Sequence, residues 1–178
     1  MTTILAIDTS TSRTCVAIVS NGKIAWSGHR DGATEHGPAL PALVLEGTKG
    51  FEIDEVVVGM GPGPFTGLRV GIAFAQSFAL ARGINLRGVC SLDSIAAQVN
   101  DQDFIITVDA RRKEVYWARF IDGVRIGEPA VSFPADVAGA TIYADLFPDM
   151  KALASLQGNI TEPMYLRRPD AVATADRS

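Results

Sequence analysis

The chain carries one short plan twice, 101 residues apart. Ile4-Leu5-Ala6-Ile7 ends in Asp8, a second apolar run spans Cys15 to Val19, Asn21-Gly22 follows, and a third run covers Lys23 to Ser27. Further on, Ile105-Ile106-Thr107-Val108 ends in Asp109, Val115 to Phe120 follows, and then Asp122-Gly123 and another short run. Asp8, Ala17 and Gly22 match Asp109, Ala118 and Gly123 at constant offset, without a gap. Asn-Gly or Asp-Gly between apolar runs is the strongest short-range hairpin signal. Each copy therefore reads strand–Asp–strand–turn. Two lobes on one plan are expected, over residues 1–101 and, smaller, 102–178; a chance likeness of two hairpins is the alternative.

Between the copies, strands and helices alternate. A helix is expected from Gly37 to Lys49, with Pro38 and Pro41 near its start and Gly50 as C-cap. A strand follows over Glu55–Met60, then a long helix over Thr66–Arg82 with Gly83 after it, and a short strand near Leu86–Val89. Ser91 is placed to cap a helix over Leu92–Asn100. The order β-β-β-α-β-α-β-α implies an α/β fold, a mixed sheet with helical cover. After Phe120, Pro129, Pro134, Pro148 and Pro163 interrupt the pattern, and only Leu146–Leu156 reads as helix.

With 178 residues, 47% hydrophobic and 20% charged, the chain has the balance of a soluble globular protein. Its first apolar run is too short for a signal peptide or a membrane span, so a cytoplasmic location is expected. Cys15 and Cys90 read as free buried thiols, in keeping with that. A net charge of −4 argues against a chain that grips nucleic acid alone.

Gly61-Pro62-Gly63-Pro64-Phe65-Thr66-Gly67 joins a strand to a helix, where α/β proteins often hold phosphate. Two prolines lack the N–H an anion needs, and no Gly-Lys-Ser/Thr follows, which excludes a P-loop. Asp8, Thr9 and Ser10 are weak cofactor-binding candidates: hydroxyls and N–H groups there could hold phosphate and Asp8 a Mg²⁺ ion, or the group could simply close a tight turn. In the second copy, Asp109-Ala110-Arg111-Arg112-Lys113-Glu114 puts long basic side chains where close approach to phosphate needs glycine. They could attract an anion, meet a partner or stay solvated. His29 and His36 are the chain's two histidines, so no metal centre is expected. Ser10, His36 and Asp8 could be drawn as a hydrolytic triad, but no G-x-S-x-G accompanies them.

The Thr66–Arg82 helix is apolar almost all round. Arg69 and Gln76 share one narrow wedge, while Gly67, Gly71, Phe74 and Phe78 point the opposite way. Glycine within a helix costs about 1 kcal/mol relative to alanine, which makes sense where a backbone must approach closely. That neighbour is either the chain's own core or a helix of another chain.

These segments, with Glu35-His36, Ser91-Leu92-Asp93 and Tyr165-Leu166-Arg167-Arg168-Pro169, resemble the bacterial TsaB (YeaZ) family over nearly the whole length. The resemblance implies an actin/sugar-kinase/Hsp70-like (ASKHA) duplicated two-lobe fold with a reduced C-terminal lobe. It implies a non-catalytic relative of TsaD that binds TsaD, and TsaE in a larger complex, to form threonylcarbamoyladenosine beside the tRNA anticodon. No cofactor or metal of its own is implied, and tRNA is met through the complex. The family's interface with TsaD, or with a second copy when TsaD is absent, lies on the two N-lobe helices. Here that points to Leu40, Leu43, Val44, Gly67, Arg69, Gly71, Phe74, Gln76 and Phe78. Pro64 replaces the family's usual Ser, and the stretch from 131 to 163 is shorter than usual. An ATP-dependent phosphotransferase of the same superfold, built on Asp8, is the alternative.

Overall fold

The computed structural model describes residues 2–167. The first copy folds as strands β1 (Thr3–Asp8), β2 (Arg13–Ser20) and β3 (Lys23–Asp31). Helix α1 (His36–Gly47), strand β4 (Glu55–Gly59), helix α2 (Phe65–Arg82) and strand β5 (Asn85–Val89) complete a five-stranded sheet and its cover. The sheet order is β3-β2-β1-β4-β5. β1 pairs antiparallel with β2 and parallel with β4. Alternate residues of β1, β2 and β4 face opposite sides, as a pleated strand requires. Leu5, Ile7, Val16, Ile18, Val56 and Val58 pack beneath α1 and α2. Ala6, Ala17, Val19 and Val57 pack on the other side.

Helix α3 (Ser91–Ala96) leads to the second copy: β6 (Asp103–Asp109), β7 (Val115–Ile121), β8 (Val124–Ser132), a 3-10 turn at Pro134–Asp136 and β9 (Thr141–Tyr143). These strands form a second sheet, ordered β8-β7-β6-β9. Leu92, Ile95 and Ala96 of α3 pack on Phe104, Ile106, Ala118 and Phe120. The two hairpin turns match in backbone conformation: φ is 51° and 72° at Asn21-Gly22, and 50° and 76° at Asp122-Gly123. Asn and Gly tolerate these left-handed values, which suit the strand twist. At the other end of the hairpins the copies differ. Asp8 pairs with Cys15 but Asp109 with Val115, so the constant offset slips by one residue.

The last helix, α4 (Met150–Ser155), returns to the first sheet. Its Leu153 and Ala154 cover Ala6, Ala17, Val19 and Val57. Arg87 of β5 forms a two-pronged pair with Glu55 (2.9 and 3.1 Å) and donates to the carbonyls of Ala154 and Leu156 at the end of α4. Ile160 N–H then donates to Gly88 (3.0 Å) and Met164 N–H to Met60 (2.8 Å). α4 thus packs with the first sheet, while Ile160 and Met164 also pack on the core of the second.

Several boundaries differ from the sequence reading. α1 ends with Thr48 as C-cap, and Gly50 (φ 81°) lies two residues beyond it. α3 has Cys90 at its N-cap, and Ser91 lies inside it because the Ser91 hydroxyl is engaged elsewhere. The expected helix at 146–156 shrinks to α4, since Pro148 disfavours helix before it and the Asp149 carboxylate caps the Ala152 N–H at 2.6 Å. The three-residue β9 adds a strand that the sequence pattern does not show. Arg168 and Pro169 lie outside the described residues.

Candidate functional site

β1 ends in a turn that is fully enclosed. Asp8, Thr9 and Ser10 are 0%, 1% and 1% exposed. Asp8 Oδ1 accepts from the Ser10 N–H (2.8 Å) and the Ser10 hydroxyl (2.7 Å), and Oδ2 accepts from the Ser91 hydroxyl (2.6 Å). The Thr9 hydroxyl donates to the Gly67 carbonyl at 2.7 Å. Burial pushes the Asp8 carboxyl above the usual carboxylate range, and the hydrogen bonds from Ser91 and Ser10 pull against it.

Four glycines spaced four residues apart form the opposite wall. A Cβ on Gly63 would stand 2.5 Å from the Ser10 carbonyl oxygen, and one on Gly67 would stand 2.7 Å from the Thr9 carbonyl oxygen. A Cβ on Gly59 would collide with Asp8 Oδ2, and one on Gly71 with Thr9 Oγ1. β4, the Gly-Pro-Gly-Pro loop and the first two turns of α2 therefore present bare backbone to the Asp8–Ser10 turn. The loop is fixed from its other side too, where the Ser91 N–H donates to the Gly61 carbonyl at 2.8 Å. Asp8, Thr9 and Ser10, the weak cofactor-binding candidates, are enclosed by protein and bond one another and the glycine wall. The missed residues are Gly59 and Ser91. The spacing of 59, 63, 67 and 71 is visible in the sequence, whereas the Ser91 contact spans 83 residues and has no local signal.

His36 does not complete a triad, because the Ser10 hydroxyl is turned to Asp8 and His36 Nδ1 bonds the Thr14 hydroxyl at 2.7 Å. Burial holds the imidazole below its ordinary value of 6.5, against the opposing pull of Asp8. The folded state thus binds fewer protons there than the unfolded chain, so the His36 contribution is full above pH 6.5 and is lost as pH falls through the lower folded value. His36→Asn keeps a hydrogen-bonding atom near the Nδ1 position. It should flatten the acid-side fall of the urea midpoint below pH 6.5; a parallel fall in variant and wild type would leave His36 out of the transition.

A cleft of about 530 Å³ runs between the turn that joins β1 to β2 and the turn that joins β6 to β7. Thr11, His36 and Thr66 line it from the first sheet and its helices, and Thr107, Asp109 and Arg111 from the second sheet. Carboxylates and a guanidinium share this lining, so its charge selects no ligand class. Among the described residues, no three His, Cys, Asp or Glu side chains lie close enough together to hold a metal ion. No helix among them is long and apolar enough to cross a membrane. Burial pushes the Cys15 and Cys90 thiols up to about 12, so both stay protonated at neutral pH.

The nine residues expected at an interface divide in two. Leu40 (0% exposed), Leu43 and Val44 lie in the core beneath α1, and Gly67 and Gly71 face Thr9. These five pack within the chain's own interior. Arg69 and Gln76 are exposed, and Phe74 and Phe78 are half-buried against the core. Ala73, Ser77 and Leu80 extend the open face, with Leu80 84% exposed, and Leu45 on α1 adds a second exposed apolar side chain. The outward face of α2 is thus more polar than the apolar pattern suggests, with its aromatic residues turned toward α1 and the sheet.

The family model described as TsaD, tRNA N6-adenosine threonylcarbamoyltransferase, matches residues 40–171. An uncharacterized protein of Mycobacterium tuberculosis is 40% identical, across 96% of this chain and 94% of that protein. The tRNA threonylcarbamoyladenosine biosynthesis protein TsaB of Escherichia coli is 34% identical over 127 residues, which is 66% of this chain and 54% of TsaB. The match therefore spans about half the length of that relative. Among solved structures, YeaZ from Pseudomonas aeruginosa superposes with a TM-score of 0.70 at 27% identity, covering 87% of this chain and 90% of that one. A second Pseudomonas aeruginosa protein, with similarity to peptidase YeaZ, superposes at 0.73 and 25%, covering 94% and 100%. The ethanolamine utilization protein EutJ from Carboxydothermus hydrogenoformans (TM-score 0.50, 12% identity, 72% of this chain and 50% of that one) shares the fold alone. The architecture is the duplicated α/β fold of the actin/sugar-kinase/Hsp70-like class.

Proposed function

This chain belongs to the TsaB/YeaZ family, and on that premise we propose that it is a non-catalytic scaffold subunit in tRNA threonylcarbamoyladenosine formation. In this reading its lobes are residues 1–101 and 102–178. It binds TsaD through the outward face of α1 and α2, joins TsaE in a larger assembly and works in the cytoplasm. It pairs with a second copy only when TsaD is absent. The observation that carries the reading is the sealed Asp8 turn. A phosphotransferase needs that corner open to phosphate and metal. Here both Asp8 oxygens are engaged, and bare backbone from β4 to α2 fills the space in front of them.

The interface narrows to Arg69, Gln76 and the accessible edges of Phe74 and Phe78, joined by Ala73, Leu80 and Leu45. Arg69 is already ordered, its guanidinium lying 4.5 Å from the Phe65 ring centroid. Leu80→Asp tests the face without touching the core, because Leu80 is 84% exposed. The variant should unfold within about 0.5 kcal/mol of wild type and bind TsaD roughly tenfold more weakly. Calorimetric titration of TsaD with each form gives the answer. Equal affinities would remove α2 from the interface, and no association with either form would remove the scaffold reading.

A further inference from the structure

The turn between β6 and β7 combines an unfavourable backbone with long cationic side chains. Arg111, Arg112 and Lys113 have φ values of 63°, 54° and 64°. In this left-handed region a Cβ crowds the following carbonyl, and glycine fits without that penalty. A turn that needed only to reverse direction would be easier to build from Gly or Asn. All three side chains are exposed. Among the described residues no hydrogen bond or ion pair engages the Arg111 guanidinium or the Lys113 ammonium.

The turn is also pinned from behind. The Ala110 N–H donates to the Glu114 carbonyl (2.9 Å), and the Glu114 N–H to the Arg111 carbonyl (3.0 Å). Arg167 neutralises the Glu114 carboxylate and reaches the Arg111 carbonyl. Tyr165, two residues earlier, packs on Phe65 at the start of α2, with ring centroids 4.7 Å apart. Of the acids in the cleft beside Arg111, Asp109 spends one oxygen on the Arg111 N–H at 2.9 Å, and Asp145 makes no hydrogen bond or ion pair to Arg111 or Lys113 among the described residues. In a chain of net charge −4, positive charge is thus concentrated on one fixed tip.

We propose that this turn contacts the phosphate backbone of an RNA, with Arg111 and Lys113 as the contacting groups. The proposal rests on the reading of the chain as a subunit of a tRNA-modifying complex. The chemistry favours RNA over a protein partner because an arginine that anchors a protein interface sits in a desolvated pocket. Arg111 and Lys113 instead stand exposed on a turn tip with no acid paired to either among the described residues, the arrangement that suits phosphate oxygens in water. Interactions of this kind fix position without reading sequence. The negative net charge makes the turn an addition to binding by the assembled complex, and a weak site when alone.

The test variant is Arg111→Gly/Lys113→Gly, which relieves the left-handed backbone while removing both charges. It should keep the fold, with a Tm no lower than wild type. In the complex with TsaD it should weaken binding of a tRNA transcript and lower the slope of log affinity against log salt by about 2, one for each phosphate that is no longer neutralised. The same transcript, titrated at low ionic strength against the isolated chain, should lose its weak binding in the variant. That second titration does not need TsaD, so failed assembly would sink the subunit reading alone. Unchanged tRNA affinity and salt slope would overturn the proposal. So would turn-dependent binding of anionic phospholipid vesicles or an acidic polypeptide in place of tRNA.

Discussion

Gly71→Ala should destabilise the protein by about 2–3 kcal/mol, against the gain of about 1 kcal/mol that alanine normally brings to a helix interior. The added methyl would collide with Thr9 Oγ1, whose hydrogen bond to the Gly67 carbonyl leaves it no other place. Thr9 is 1% exposed, so neither partner can move toward solvent. Thr9→Ala removes the obstructing oxygen at the expense of the bond to Gly67. The double variant should therefore be more stable than the sum of the two single changes allows, and a double-mutant cycle in urea reads that coupling. If Gly71→Ala instead gains stability, the glycine wall is not a close-packed contact, and the sealed-turn argument for the scaffold reading loses its basis.

Asp8→Ala should cost about 3 kcal/mol, because three buried donors lose their acceptor together: the Ser10 N–H, the Ser10 hydroxyl and the Ser91 hydroxyl. Asp8→Asn keeps one carbonyl oxygen, and the Ser91 hydroxyl can turn to accept from the new amide, so its loss should be smaller. The two variants also separate by pH. The Asp8 pKa is raised by burial, so the folded state holds a proton that the unfolded chain releases at 3.8. The Asp8 contribution to stability therefore falls as pH rises from 3.8 through the folded value, and Asp8→Asn should flatten that part of the profile. Calorimetry with Mg-ATP on the wild type should give no heat. Tight binding that Asp8→Ala abolishes would restore the phosphotransferase reading.

Much of the frame is legible in the sequence because it rests on local chemistry. Asn21-Gly22 and Asp122-Gly123 sit in left-handed turns that few other residues fill, so both hairpins can be read directly. α2 is legible from its length and from Gly83, which ends it in the left-handed conformation (φ 63°). The glycines of α2 are legible only as a demand for close approach. What approaches is Thr9, 58 residues from Gly67, and no periodicity reports a contact at that distance. Ser91 has the sequence context of a helix cap. A buried carboxylate overrides it, since an ionisable oxygen without a donor costs more than an uncapped six-residue helix. β9 escapes because three residues before a run of loop carry no pattern of their own.

The return of α4 to the first sheet has a consequence for the newly made chain. Ala6, Ala17, Val19 and Val57 lie within the first third of the sequence, yet Leu153 and Ala154, which cover them, are made near its end. During synthesis the five-stranded sheet can pair its strands and gain α1 and α2 while its other face stays wet. Its closing contacts are long-range ones, which come late in folding. The nascent N-terminal half therefore exposes this apolar face until α4 has been made, and a fragment ending at residue 101 would carry it uncovered permanently.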